Sequence, residues 1–148
     1  MKWLRNPDFY PNGLPAVGLL FLRIFTGYAM AQHGLGKIQN PFGWMGDAPV
    51  PGFLQALAAA SEFFGGIALI FGVLTPLACL GIMSTMFVAI MSMMMRGAPM
   101  VAPKPSAPSW EMAGLFFFIT LALFMTGPGR LSVDYFLFGR KRATETAT

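Results

Sequence analysis

Two residues of opposite charge stand inside otherwise apolar runs. Arg23 interrupts LPAVGLLFLRIFTGYAMAQ, and Glu62 interrupts FLQALAAASEFFGGIALIFGVL. A guanidinium and a carboxylate can join in a bidentate pair that offsets much of the cost of burying either alone. Each lies nine residues from one end of its run. If both runs are helices, both charges sit about 13 Å below the same surface. The spacing therefore predicts that Arg23 and Glu62 meet, directly or through one water. Such a pair can move protons in a low-dielectric interior, or it can fix the register of two helices.

A second polar layer extends this one. Arg23, Gly27, Met30, His33 and Lys37 recur at spacings of three and four, so one helical stripe carries them all. Gln55, Ala58, Glu62 and Gly65/Gly66 form a matching stripe on the second run, and Glu111 opens the fourth. The expectation is a polar track from His33, Lys37, Glu111 and Gln55 inward to Arg23 and Glu62. His33 is the one histidine, and an imidazole titrates near neutrality, so it can relay a proton or cap a helix end. No metal site is expected from a lone histidine. The single cysteine, Cys79, lies in an apolar run and reads as a small hydrophobe.

Two further segments bear on chemistry. The stretch Gly127-Pro128-Gly129-Arg130-Leu131-Ser132-Val133-Asp134 ends the fourth run. Gly and Pro stop the helix, leaving Arg130 and Asp134 to pair with each other or cap helix ends. Tyr135, Phe136 and Phe138 follow as interfacial anchors. Met91, Met93, Met94, Met95 and Met100 crowd the end of the third run. Thioethers suit Cu(I), but three consecutive methionines point in three directions round a helix, and flexible gap filling is the stronger reading.

The elements that must position these residues follow from composition. Of 148 residues, 55% are hydrophobic and only 11% charged, far below a soluble domain. That excludes a soluble enzyme, a disordered tail and a nucleic-acid-binding module. Four apolar runs, at 14–32, 53–74, 76–95 and 110–126, approach the length needed to cross a bilayer. Prolines and glycines separate them. Ala29-Met30-Ala31 resembles a signal cleavage site, but Arg23 and the prolines upstream argue for a retained helix. The fold class is all-α, an antiparallel four-transmembrane-helix bundle. Residues 1–138 form one domain, and 139–148 a basic, disordered tail that meets anionic lipid. Gly18, Gly27, Gly65, Gly66 and Gly72 allow close helix contact. Lys2, Arg5, Arg130, Arg140, Lys141 and Arg142 fall on the side of the termini, against Lys37, Arg96 and Lys104 on the other. Both termini are therefore expected in the cytoplasm.

Three segments resemble the DoxX family of small four-helix bacterial membrane proteins, which includes DoxD-type subunits. They are LRIFTGYAMAQHGLGKI, with Arg23, Gly27, His33, Gly34 and Lys37; SEFFGGIALIFGVLTPLA, with Glu62, Gly65, Gly66, Gly72 and Thr75; and TGPGRLSVDYFL, with Gly127, Gly129, Ser132 and Asp134. The resemblance covers about Gly18 to Leu137. It implies a multi-pass subunit of the bacterial plasma membrane linked to redox chemistry, in some members to quinone. With a quinone headgroup held against the polar track, Glu62 and His33 are the candidate catalytic residues. Arg23, Lys37, Glu111 and Gln55 are the candidate quinone-binding residues. Gly65, Gly66, Gly127, Gly129, Arg130, Ser132 and Asp134 are the framework. No covalently bound cofactor is expected, and quinone is the one that would fit. The chain has no flavin, haem or iron–sulfur motif, so electrons must come from a redox partner subunit or a soluble substrate. Two other functions stay open: a structural or assembly subunit without catalysis, and handling of copper or a small solute at the outer face.

Overall fold

The computed structural model describes residues 9–139. The basic tail expected at 139–148, except Gly139, and the topogenic residues Lys2, Arg5, Arg140, Lys141 and Arg142 lie outside the described residues. Four α-helices follow in order: α1 Leu14–Ile38, α2 Gly52–Phe71, α3 Thr75–Met95 and α4 Glu111–Thr126. A single π-helical turn, Tyr135–Gly139, closes the described chain.

Local chemistry sets these boundaries. Pro15 and Pro76 stand in the first turns of α1 and α3, where a missing N–H costs nothing. Helix α2 stops at Gly72, whose left-handed backbone (φ 67°, ψ 45°) lets Val73 N–H reach back to Ala68 O at 2.9 Å. Three helices are long and apolar enough to cross a membrane, and α4, with 16 residues, is a shorter apolar helix. The chain is a multi-pass helical membrane protein. Phe21, Phe25, Phe64, Phe87 and Phe118 are exposed round the bundle, as a lipid-facing surface requires and a water-facing one does not tolerate.

The helices pack in sequence order, α1 on α2, α2 on α3 and α3 on α4, while α1 and α4 meet only slightly. The two adjacent glycines of α2 serve two different neighbours. A β-carbon on Gly66 would lie 2.5 Å from Gly27 O and from Ala31 N, so α1 and α2 touch backbone to backbone. Gly65 instead faces Ile82 and Ala78 of α3. The core joins Met30, Leu69, Cys79, Ile82, Phe116 and Leu123, so the cysteine is packed as a hydrophobe.

Two boundaries differ from the sequence expectation. Helix α1 runs on through Gly34 and Gly36 to Ile38, six residues past position 32. Helix α2 ends three residues short of position 74. Neither glycine of α1 breaks it, because Gly34 is buried against Phe63 and packing overrides propensity. This extension shifts the α1–α2 register and changes which charges can meet.

Candidate functional site

The α1–α2 register is fixed by three close approaches: Gly27 against Gly66 and Ile70, Ala31 against Gly66, and Gly34 against Phe63. Glu62 is then level with Gly34 and Leu35, whereas Arg23 is level with the turn after α2. The two charges are about 18 Å apart along the bundle, twelve residues of helix. The expected Arg23–Glu62 pair is not formed. Helix α1 ends at Ile38 rather than at position 32, so Arg23 lies fifteen residues from that end and nearer the end of the bundle that holds the α2–α3 turn.

Glu62 pairs with Lys37 instead. Lys37 Nζ donates to both carboxylate oxygens at 2.6 Å. Glu62 is 1% exposed and Lys37 26%. Lys37 occupies the last turn of α1, where its charge also suits the helix dipole. Its ammonium lies 4.5 Å from the centre of the Trp44 ring, a cation–π contact from the loop above. Gln55 holds that loop down. Its Oε1 accepts from Met45 N–H, its Nε2 donates to Val50 O, and its own carbonyl accepts from Trp44 Nε1. Both ends of the Gln55 amide are thus engaged by the loop rather than directed along a track.

His33 and Glu111 stand apart from this pair. The buried stripe of α1 runs Arg23, Gly27, Met30, Gly34, and His33 falls beside it on the α4 side. The imidazole is exposed and packs edge-on against Phe116 of α4, ring centres 5.8 Å apart. Glu111 opens α4 and is exposed. Among the described residues no ion pair joins it to His33 or Lys37. A carboxylate in the first turn favours the helix N-terminus, which accounts for its place.

Another polar layer, at the opposite end of the bundle, lies where the segments round Tyr10 and Asp134 meet. Asp134 accepts Leu74 N–H at 2.7 Å through one oxygen and Thr75 N–H at 2.8 Å through the other. It caps the N-terminus of α3 from sixty positions away. Its own N–H donates to Gly72 O, and Tyr10 Oη donates to its carbonyl. The carboxylate also holds Leu74 in a left-handed backbone (φ 47°), a conformation that costs a non-glycine residue about 1 kcal/mol or more. Arg23, fully buried, donates from Nη2 to Leu131 O at 2.5 Å and fills the space where a Gly72 side chain would be. Ser132 Oγ donates to Gly129 O and accepts from Tyr135 N–H. Arg130 does not pair with Asp134; its guanidinium lies over the Tyr135 ring, and its N–H donates to Pro11 O. Gly127 and Gly129 flank the fully buried Pro128, and a side chain on Gly127 would collide with Phe9.

Sequence reasoning missed Trp44 and Thr26. Trp44 carried one signal: an indole inside a Gly/Pro-rich connection directly after a helix-end lysine. Thr26 lies one turn from Arg23 on the same helix. Met91, Met94, Met95 and Met100 are exposed at the far end. Among the described residues no cluster of three His, Cys, Asp or Glu side chains could hold a metal.

Fold and geometry together define a small multi-pass membrane protein, a four-helix bundle with one ionisable layer at each end. Comparison places it further. The chain belongs to the DoxX family, whose profile matches residues 18–95. It is 29% identical over 135 residues to a Bacillus subtilis protein named "Putative oxidoreductase CatD", covering 88% of this chain and 96% of that one. It is 32% identical over 127 residues to "Inner membrane protein YqjF" of Escherichia coli, covering 84% and 95%. No solved structure matches.

Proposed function

We propose that this protein is a bacterial plasma-membrane subunit of a quinone-linked redox system, with both termini in the cytoplasm and the Lys37–Glu62 layer toward the outer face. One observation carries the reading: a carboxylate that is 1% exposed is held by a lysine that is 26% exposed. One turn before that lysine on α1, His33 is exposed and packs against Phe116 of α4. A buried acid is thereby linked to the surface by one movable cation. The name of the Bacillus relative, an oxidoreductase, points the same way.

The residues present fit a quinone headgroup. Lys37 and the exposed His33 carry N–H groups that can reach a carbonyl oxygen, and the Trp44 ring lies beside Lys37. A quinone, when bound, would supply two-electron, two-proton redox chemistry. Lys37 would position the oxygen and give it a proton, Glu62 would hold the ammonium in place, and His33 would bring replacement protons from the surface. Electrons come from a partner subunit or soluble donor.

A second reading, a structural or assembly subunit, is favoured by the fact that Arg23, Gln55 and Asp134 each tie together separate segments. One experiment separates the two. With Trp3 and Trp110 replaced by Phe, Trp44 in nanodiscs reports binding of a short-chain ubiquinone by fluorescence quenching. Saturable quenching is expected, weakened about tenfold or more in Glu62→Gln and in His33→Ala, as one polar contact is lost in each. Quenching that never saturates, or is equal in all variants, sinks the quinone reading and leaves assembly.

A further inference from the structure

Arg23 is fully buried, yet of its three nitrogens only Nη2 has a hydrogen-bond partner within the protein; Nε and Nη1 have none. A guanidinium carries five N–H donors and cannot discard its charge. A buried donor without an acceptor costs about 1–3 kcal/mol, and more when charged. The Thr26 and Thr75 hydroxyls, both fully buried, are likewise unpartnered.

The threonines are the more telling half. A buried hydroxyl on a helix normally satisfies itself by bonding back to the carbonyl four residues earlier. Buried Thr120 does so here, and so do half-buried Thr85 and exposed Ser84 and Thr126, at 2.7–3.0 Å. Thr26 lies in mid-helix, with the Leu22 carbonyl one turn behind it, and does not. Thr75 opens α3 and has no preceding helical turn to bond to.

These groups share one layer. Thr26 is one turn from Arg23 on α1. The Arg23 Nη1 atom occupies the missing side-chain position of Gly72, three residues before Thr75. Asp134 bonds the backbone of Gly72, Leu74 and Thr75, the same turn against which the Arg23 guanidinium packs. Each Asp134 oxygen uses one lone pair on a backbone N–H and keeps another.

The geometry points to an internal water site bounded by Arg23, Thr26, Thr75 and Asp134. Its donors outnumber its acceptors, so the guest must accept from the guanidinium and donate to the carboxylate. Its charges balance, so the guest is neutral. Its walls are fully buried, so the guest is small. Water meets all three conditions, and buried waters make about three such bonds each. The site adds to the direct contacts by which Arg23 and Asp134 already tie α1, the α2–α3 turn and the 131–134 segment together. It is independent of the quinone reading, which concerns the opposite end of the bundle.

The test is NMR of the full chain in nanodiscs with side-chain-labelled arginine, the Arg23 Nε–H being assigned by replacing the other five arginines with lysine in turn. A cross-peak between that proton and water is expected. Thr26→Val and Thr75→Val keep the shape and remove the hydroxyl; each should weaken or abolish the cross-peak and lower Tm. A hydroxyl with no guest behaves oppositely, since its removal relieves a penalty. Absence of the cross-peak, or a Tm that is unchanged or raised in both valine variants, would falsify the site.

Discussion

Lys37 and Glu62 are a pair in which one partner is sealed and the other is not. The sealed carboxylate has no alternative donor, so removing Lys37 leaves a charge stranded in a low-dielectric interior. Lys37→Met should therefore destabilise the fold by about 3–5 kcal/mol. Replacing both, as Lys37→Met with Glu62→Leu, should cost far less, because a buried ion pair roughly cancels its own desolvation. Thermal melting of the single and double variants in one detergent checks this. Equal losses in both would show that the side chains contribute through shape rather than charge.

At the scale of helices, backbone contact decides which substitutions the bundle accepts. On Gly66 an added β-carbon meets main-chain atoms of Gly27 and Ala31, which cannot move without separating α1 from α2. On neighbouring Gly65 it meets the flexible Ile82 side chain at 3.4 Å. Gly66→Ala should thus destabilise by about 1–3 kcal/mol through overpacking, while Gly65→Ala should change little. The contrast is read by comparing their melting temperatures. Similar effects would mean that α1 and α2 are not in backbone contact there.

Across the whole molecule, the two ends of the described chain close on each other through Tyr10 and Asp134. Burial, and secondarily the charge of Asp134, push the Tyr10 phenol from its ordinary 10.0 up to about 12. The folded protein therefore binds this proton more tightly than the unfolded one. Its contribution to stability is complete below pH 10 and is lost as pH rises toward 12. Tyrosinate absorbance should show one late-titrating tyrosine, and Tm should fall more steeply over that window than in Tyr10→Phe. A Tyr10→Phe profile identical to the parent would show that the phenol does not couple to folding.

Several features were legible from residue order alone. Four apolar runs, broken by Gly and Pro, fix four helices, because nothing but a helix satisfies a backbone within lipid. The ending of the fourth run, with Asp134, marks a capping segment. The partners of the charges were not legible. They depend on where α1 stops, and Gly34, a weak helix former read locally, is held helical only by Phe63 packed against it from α2. That contact, with Gly27 and Ala31 against Gly66, sets the register that keeps Arg23 from Glu62 and brings Lys37 to it. Periodicity gives each side chain a face; only the packed neighbour gives it a height, and two charges must share both to meet.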